Sequence, residues 1–471
     1  IVLLKNEELL PLSKKQKIAV IGPNADNIPM MWGNYNGTPN STVTILDGIR
    51  AKAGKKNVTY LKGCDLTEEC VVNSFLTQCK ADGKKGIRGT FWNNTTRSGK
   101  PVTTEYYVNP IAVTTSGQHT FANGVRMEDF SAMYETTFVP EKSCKAVIRM
   151  QYTGAFSLKV NGKTLAADST WRDQPMRFEL DVEKGKTYDV ELAYHTVKTW
   201  GANMKLNIGE ELPIDYNETI EKLKGIETVV FVGGISSQLE GEEMPVKIDG
   251  FKGGDRTHIE LPKVQREFIR HLAEAGKKIV FVNCSGSAIA LAPEAERCAA
   301  IVQVWYPGME GGTAVADVLF GDYNPQGKLP VTFYKSSSQL PDFEDYSMKG
   351  RTYRYFSDPL YAFGYGLSYT TFKNENIKIE KQPAGDSSLF TLHSSLKNTG
   401  KREGTEVVQV YVRRCDDADG PLKTLKAFER VTLKPGETKK VEIKLDEEAF
   451  TLFDPDTNTM RVVPGKYEVF V

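Results

Sequence analysis

The chain has 471 residues, of which 40% are hydrophobic and 25% charged, with 60 Lys and Arg balanced by 60 Asp and Glu. This length predicts roughly three domains, and the apolar content excludes a disordered chain. The balanced charge gives no long-range attraction for nucleic acid or an anionic membrane, and no run of 18 apolar residues is present to span a bilayer.

The first part of the chain is predicted to begin an α/β domain. Its opening residues, IVLLKNEELLPL, are typical of one element leading into the next and unlike a signal peptide, so we expect a further segment upstream. Residues 17–23, KIAVIGP, and 58–64, VTYLKGC, are short apolar runs stopped by turn residues. Such runs indicate strands buried on both faces of a parallel sheet.

The pattern changes between residues 84 and 212. Stretches with two-residue periodicity, such as YETTFVP and FSLKVNGKTL, are joined by turn signals such as NGK and EKGK, which predicts an all-β sandwich. Because α/β strands resume afterwards, we interpret this block as a β-domain inserted into a surface loop. Residues 1–83 and 213–365 are then two parts of one α/β domain.

The second α/β part has three more apolar strands, at 228–234, 277–284 and 299–308. Between the first two lies LPKVQREFIRHLAEAGKK, where Pro262 suits a first helical turn and Gly276 a C-terminal cap. Strand, helix and strand at these spacings predict an open, mostly parallel sheet with right-handed crossovers.

The last residues, 366–471, again have two-residue periodicity and contain no helix-length stretch. We expect a second β-sandwich here. The predicted fold is therefore multidomain, with an α/β sandwich, a β-sandwich inserted into it, and a C-terminal β-sandwich.

The loop after residues 228–234 is unusually acidic. It contains Glu240, Glu242 and Glu243, followed by Asp255 and Arg256. Ligands of open α/β sheets bind beyond the carboxyl ends of the strands, so this loop is the first candidate site. Carboxyl groups this close repel one another, and with partial burial one of them would stay protonated, as a general acid requires. A solvated acidic loop is the alternative, and we interpret Asp255 and Arg256 as an ion pair that fixes the loop.

Other patterns argue against metal or nucleotide chemistry. The seven cysteines contain no CxxC pair and the five histidines no HxxxH spacing, so no metal site is predicted. Cys64 and Cys70 would be able to close a small loop in an oxidising compartment. The turns AVIGPNAD and VFVGG do not complete GxGxxG. Five aromatic side chains are candidates either for stacking on sugar rings or for the core: Trp32, Tyr35, Trp305, Tyr353 and Tyr355.

Several stretches resemble the C-terminal two-thirds of a glycoside hydrolase family 3 enzyme. They are IVLLKNEELLPL, YPGMEGGTAVADVLFGDYNPQGKLPVTF at 306–333, and KGRTYRYF with PLYAFGYGLSYTTF within 349–372. LKNTGKREGTEVVQVYV and LKAFERVTLKPGE resemble the fibronectin type III-like domain of that family. GTFWNN and LKVNGKTL, in the inserted block, are similar to a protective-antigen-like sandwich that some members carry.

Within the family, WGNYNGTPNSTVTILDGIR, YLKGCDLTEEC and MKGRTYRYF are most similar to β-xylosidases, and β-glucosidases remain close. The resemblance implies retaining hydrolysis of terminal β-linked sugars, with an Asp nucleophile on a barrel and a Glu acid/base on the α/β sandwich. It implies a glycoside or oligosaccharide substrate, the barrel as partner, no cofactor, and secretion or a periplasmic location. Because the nucleophile has no counterpart here, this chain alone is expected to be inactive.

The resemblance also ranks the three glutamates. A match counted from Gly234 gives Glu242 as the acid/base, and a match counted back from Asp255 gives Glu243. Glu240 ranks third. Two other functions are considered: a non-catalytic carbohydrate-binding or adhesion protein made of the same modules, and a nucleotide-binding α/β protein, which the incomplete glycine motifs do not support.

Overall fold

The chain folds into an α/β unit that is interrupted by a β-sandwich and followed by a second β-sandwich, which confirms the predicted fold class. The computed structural model describes residues 1–37, 39–115, 119–169, 174–198, 201–244, 246–383, 388–454 and 456–471.

The first part of the α/β unit has three strands and two helices. They are β1 (Val2–Asn6), β2 (Ile18–Ile21), α1 (Ile28–Met31), α2 (Ile45–Ala53) and β3 (Val58–Leu61). Helix α2 begins at Thr44, whose side chain accepts a hydrogen bond from the Asp47 backbone N–H, and ends at Gly54 with a left-handed φ of 80°. Thr44 and Gly54 are ordinary N-cap and C-cap residues of a helix.

The inserted unit is antiparallel throughout and forms two sheets. Its strands are β4 (Cys70–Ser74), β5 (Cys79–Ala81), β6 (Lys84–Lys85), β7 (Ile87–Trp92), β8 (Thr103–Tyr107), β9 (Ile111–Thr114), β10 (Ser131–Phe138), β11 (Cys144–Thr153), β12 (Ala155–Val160), β13 (Lys163–Asp168), β14 (Gln174–Val182), β15 (Tyr188–His195) and β16 (Asn203–Pro213). One sheet has the order β13-β12-β15-β10-β5-β6, with β7 beside β10 and β8 beside β7. The other has the order β14-β11-β16-β4, with β9 beside β16.

The inserted sandwich begins earlier in the chain than residue 84. Strand β4 pairs with β16 from Ser74↔Gly209 to Cys70↔Pro213, and β5 pairs with β10. Both strands therefore belong to the sandwich, although they lie within the predicted range 1–83. These strands have five and three residues, too few to give a two-residue pattern that separates them from a loop.

The second α/β part completes a six-stranded sheet. Its elements are α3 (Tyr216–Lys222), β17 (Thr228–Gly234), β18 (Lys247–Ile248), β19 (Phe251–Lys252), β20 (Asp255–Arg256), α4 (Lys263–Glu274), β21 (Lys278–Cys284), α5 (Ala292–Arg297), β22 (Ala300–Gln303), α6 (Gly311–Leu319) and α7 (Thr352–Tyr355). The sheet order is β1-β22-β21-β17-β2-β3, parallel except for β1, which is antiparallel to β22. The predicted helix at α4 is confirmed, with Gly276 in a left-handed conformation just beyond its end.

Helices cover both faces of this sheet. On one face α2 packs on α6 so closely that a Cβ added to Gly48 would lie 2.0 Å from the carbonyl oxygen of Gly312. On the other face α4 buries Val264, Phe268 and Leu272. The strands are therefore enclosed on both sides, which is why their sequences are continuously apolar.

The C-terminal unit is a small sandwich. Its elements are β23 (Phe372–Lys381), β24 (Ser388–Asn398), β25 (Gly404–Arg414), β26 (Thr424–Leu433), β27 (Thr438–Asp446), α8 (Glu447–Phe450), β28 (Thr451–Asp454), β29 (Thr459–Val462) and β30 (Tyr467–Phe470). Its sheets are β23-β24-β27 and β26-β25-β30. The Gln409 side chain donates to the Gly364 carbonyl at 2.9 Å, which joins this unit to the α/β unit. None of the helices in the described ranges combines the length and apolar character that a membrane span requires.

Candidate active site

The candidate site lies where loops after three parallel strands meet at the carboxyl edge of the sheet. The Asn34 side chain, in the loop that follows β2 and α1, donates to the Glu240 carbonyl at 3.0 Å. The Ser237 hydroxyl donates to the Trp32 carbonyl at 3.2 Å, and the Ser287 hydroxyl, after β21, donates to Glu240 Oε1 at 2.7 Å. The acidic loop after β17 is therefore held from both sides by its neighbours.

A three-stranded sheet, β18-β19-β20, shapes the acidic loop itself. The Gly241 N–H donates to the Gly254 carbonyl at 3.1 Å, and the Met244 N–H donates to the Gly253 carbonyl at 2.9 Å. A Cβ on Gly254, which has a φ of 91°, would lie 1.9 Å from the Gly241 carbonyl oxygen, so only glycine fits. These two backbone bonds flank Glu242 and Glu243 and fix the turn that carries them.

The three candidate glutamates lie in different surroundings. Glu240 is half-buried, and its carboxylate accepts the Ser287 hydroxyl. Glu242 and Glu243 are exposed. The structure therefore brings all three glutamates into one turn. Of the three side chains, Glu240 is the one that is half-buried and hydrogen-bonded to the loop after β21.

Glu242 has one aromatic neighbour. The hydroxyl of Tyr35, a side chain that is 88% exposed, donates to Glu242 Oε2. This hydrogen bond, together with the negative charge of Glu242, raises the pKa of Tyr35. Tyr35 has a left-handed backbone with a φ of 54°, which is uncommon for an aromatic residue and directs the ring toward the acidic turn.

Arg256 is not paired with Asp255, so that expectation was wrong. Its guanidinium donates to the Ser287 hydroxyl at 3.3 Å, to the Ala288 carbonyl at 3.1 Å and to the Glu260 carbonyl at 3.3 Å. Successive side chains of a strand point to opposite faces, and in β20 Asp255 is exposed while Arg256 is directed inward. Burial lowers the pKa of Arg256, and the charges of Glu240 and Glu260 act in the opposite direction.

The aromatic candidates divide between site and core. Trp32 is half-buried and packs against the sheet, with its Nε1 donating to the Thr42 hydroxyl at 3.1 Å. Trp305, with a left-handed φ of 59°, packs edge-on against Phe333. Tyr353 stacks on Phe363 at a centroid distance of 4.1 Å, near the C-terminal sandwich.

Three further residues at this edge were not singled out as functional: Asn34, Ser287 and Tyr306. Tyr306 lies beside Gly286, where an added Cβ would be 2.9 Å from the ring, and burial followed by the charge of Glu240 raises its pKa. All three follow buried strands, so the rule that sites form beyond the carboxyl ends of strands was the signal that pointed to them.

Two of the cysteines were candidates for a loop-closing disulfide. Cys64 and Cys70 are free thiols, the first buried and the second half-buried, so the loop that they would close in an oxidising compartment is not formed by a disulfide here. The half-buried Cys70 lies 3.2 Å from an Arg149 nitrogen in the inserted sandwich.

The arrangement places three carboxyl groups on one turn at the carboxyl edge of an α/β sheet, the edge where ligands of such sheets bind. Residues 1–369 match the glycosyl hydrolase family 3 C-terminal domain, and residues 406–471 match the fibronectin type III-like domain. The chain therefore belongs to glycoside hydrolase family 3, within the C-terminal part of that family's architecture.

The chain is similar to beta-xylosidases and beta-glucosidases, among them a protein of solved structure. The chain is 59% identical over 473 residues to a xylan 1,4-beta-xylosidase of Xylanibacter ruminicola, covering 100% of this chain and 54% of that protein. It is 38% identical over 269 residues to a periplasmic beta-glucosidase of Salmonella typhimurium, covering 54% of this chain and 34% of that protein. The structure of a Kluyveromyces marxianus beta-glucosidase in complex with glucose is similar, with a TM-score of 0.72 and 26% identity over 99% of this chain and 58% of that one. The chain thus spans about half the length of the xylosidase.

Proposed function

We propose that this chain is the acid/base-bearing part of a retaining exo-β-glycosidase that releases terminal β-linked sugars, with β-xylosidase favoured over β-glucosidase. The 59% identity to a xylan 1,4-beta-xylosidase supports xylosides, and thus xylan fragments, as the substrate class. The observation that carries the proposal is the exposed carboxylate of Glu242 at the carboxyl edge of the sheet. A secreted or periplasmic location fits the relative that is named periplasmic.

Glu242 is the proposed general acid and base. In retaining hydrolysis one carboxyl group protonates the leaving oxygen and later, as carboxylate, activates water. Glu242 is exposed, and its one described partner is the exposed hydroxyl of Tyr35, so a substrate oxygen has access to it. Glu243 ranks second because it is exposed on the same turn.

Glu240 is the weakest of the three candidates. Its carboxylate accepts the Ser287 hydroxyl, which in turn accepts from the guanidinium of Arg256. The half-buried carboxylate of Glu240 is thus held toward Ser287, whereas Glu242 and Glu243 are exposed. Glu240 therefore serves the site as a fixed acceptor.

The second carboxylate of the reaction comes from outside this chain in our proposal. Retention requires a nucleophilic carboxylate at about 5 Å from the acid/base, and we assign it to the family's catalytic barrel as partner. Two carboxyl groups and water suffice for the chemistry, so no metal or organic cofactor is involved. Without the barrel, the chain is expected to be inactive.

The test joins this chain to the remaining part of the 59% identical xylosidase and compares nitrophenyl β-xyloside with nitrophenyl β-glucoside. The variants are Glu242→Gln, Glu243→Gln and Glu240→Gln. We expect Glu242→Gln to lose about 10²- to 10⁴-fold in kcat/KM on substrates with a poor leaving group, the range for removal of general acid catalysis. Glu243→Gln is the matched control and should stay within a few-fold of the parent.

Other outcomes would redirect or end the proposal. If Glu243→Gln shows the loss and Glu242→Gln does not, the acid/base is Glu243. If both keep full activity on poor leaving groups, the acid/base assignment is wrong. Sugar affinity without turnover, after the barrel is supplied, would favour a non-catalytic carbohydrate-binding protein.

A further inference from the structure

We propose that Arg256 is a positioning residue that holds Glu240 through Ser287 and thereby fixes the turn that presents Glu242 to the substrate. This inference rests on the proposed function. Arg256 does not touch the substrate in this scheme, and its effect reaches the reaction only through the geometry of the acidic turn.

The first observation is the set of partners of the Arg256 guanidinium. It donates to one hydroxyl and two carbonyls, on Ser287, Ala288 and Glu260, at 3.1 to 3.3 Å. It also lies over the Phe251 ring, with 5.9 Å from Cζ to the ring centroid. One planar group thus connects β20 and the two loops that follow β20 and β21.

The second observation is the continuous connection from Arg256 to the acidic turn. Ser287 accepts from Arg256 and donates to Glu240 Oε1 at 2.7 Å. In the backbone, Gly254, two residues before Arg256, accepts from the N–H of Gly241, which directly precedes Glu242. The side-chain and backbone connections run in parallel, so a shift of Arg256 is passed to the turn by both.

The third observation is that this cation is half-buried, with its Nε atom fully buried, where a neutral group would be less costly. Among the described residues no carboxylate forms a direct ion pair with Arg256, and its buried Nε atom has no hydrogen-bond partner. Removing a charge from water without a direct counter-ion costs free energy, and an arginine at the surface would keep its hydration. The planar fork explains why the residue is useful here, because lysine, as a point donor, cannot hold three separate acceptors in one plane.

The kinetic consequence differs from that of general unfolding. A displacement of about 1 Å in a catalytic group can lower the rate about 100-fold. A misplaced acid slows the first step only when the leaving group needs protonation, so kcat/KM falls for xylobiose and is retained for dinitrophenyl β-xyloside. The second step is hydrolysis of the glycosyl-enzyme, in which the same carboxylate activates water, and this step also slows. An external nucleophile such as azide needs no activation by a base and restores the rate of this step.

The experiment uses the joined protein described above, with Arg256→Met, Arg256→Lys and Ser287→Ala. The matched control is Lys252→Met, which removes an exposed cation from the same small sheet. We expect Arg256→Met to lose about 100-fold in kcat/KM on xylobiose, and Ser287→Ala about 10-fold, while dinitrophenyl xyloside stays within about 3-fold. Azide should raise kcat of both variants on dinitrophenyl xyloside, and Lys252→Met should behave as the parent.

The outcomes separate this inference from the proposed function. If Glu242→Gln shows the leaving-group dependence and azide rescue but Arg256→Lys and Ser287→Ala do not, the positioning role is wrong and the acid/base assignment stands. If neither Glu242→Gln nor Glu243→Gln has that signature, the proposed function itself fails. Should Arg256→Met not fold, Arg256→Lys and Ser287→Ala decide, and equal losses on both substrates in these two would overturn the inference.

Discussion

The buried amide of Gln265 connects helix α4 to the strand that precedes the acidic turn. Gln265 is fully buried, its Oε1 accepts from the Gly234 N–H at 2.8 Å, and its Nε2 donates to the Gly234 carbonyl at 2.8 Å and to the Leu66 carbonyl at 2.7 Å. Gly234 is the last residue of β17. The amide thus completes the hydrogen bonding of the strand end just before the loop with Glu240 begins.

Replacing this amide with leucine should destabilise the α/β unit strongly. Gln265→Leu leaves the buried N–H and carbonyl of Gly234 without partners, at about 1 to 3 kcal/mol for each. We therefore expect a loss of about 2 to 6 kcal/mol, a large part of the 5 to 15 kcal/mol typical of a domain. The loss should be the same at all pH values because leucine does not titrate.

Gln265→Glu should give a loss that depends on pH. The protonated carboxyl can donate a hydrogen bond to one of the two carbonyls, on Gly234 or Leu66. The carboxylate has no proton to donate, so both carbonyl oxygens would face a negative charge. Its folded pKa is therefore expected to rise above the unfolded value of about 4.3. Stability from the protonated form is then fully present below the unfolded pKa and is lost as the pH rises through the folded pKa.

The measurement is urea unfolding from pH 4 to 8, followed by circular dichroism. Gln382→Leu is the control, because within the described ranges that amide makes a single bond, of 3.5 Å, to the Glu380 carbonyl. Relative to the parent, Gln265→Glu should be closest to native near pH 4 and weakest near pH 8. A loss below about 1 kcal/mol for Gln265→Leu, or no decline of Gln265→Glu with rising pH, would refute the role given to this amide.

Three further predictions test packing and titration. Gly48→Ala should lower the thermal midpoint, with about 1 to 3 kcal/mol lost, because its Cβ would lie 2.0 Å from the Gly312 carbonyl oxygen. Burial raises the pKa of Glu294 despite its ion pair with Arg266 at 2.9 Å, so stability should fall as the pH rises through the folded pKa, and Glu294→Gln should flatten this dependence in unfolding curves. With a thiol reagent, four buried cysteines should react only after unfolding: Cys64, Cys79, Cys284 and Cys298.

The parallel sheet was predictable because its strands lie between two layers of helices. The run at 228–234 is buried at every position, and such strands have continuous apolar sequences. The strand predicted at 299–308 is longer than the observed strand. Strand β22 ends at Gln303, and Trp305 adopts a left-handed φ of 59°. Apolar side chains continue into the site, so hydrophobicity alone does not mark the strand end.

Local sequence patterns could not predict the direction of β1 or the residue at which the inserted sandwich begins. Strand β1 is antiparallel to β22, and strand direction depends on which neighbour lies beside it. Likewise the side chains of β4 alternate between half-buried and exposed, and its pairing partner β16 lies about 140 residues further along the chain. Pairing between segments so far apart leaves no local periodicity that separates it from a loop.

The position of the acidic turn was predictable from the sequence, but the different surroundings of its three glutamates were not. Glu240 and Glu242 have the same residue type and are two positions apart, so the sequence gives them equal chemistry. Their difference comes from Ser287, which reaches Glu240, and from Tyr35, which reaches Glu242. Each partner lies in a loop that follows a different strand of the sheet, β21 for Ser287 and β2 for Tyr35.

The same convergence explains where the inserted sandwich joins the sheet. It leaves the α/β unit after β3, and β3 is parallel to β2, so the connection starts at the carboxyl edge that carries the acidic turn. Gln265 binds the Leu66 carbonyl in this connection and the Gly234 groups in the strand before the turn. One buried amide therefore fixes the base of the insert relative to the base of the turn. The connection is rigid because the amide is fully buried and makes three hydrogen bonds of 2.7 to 2.8 Å.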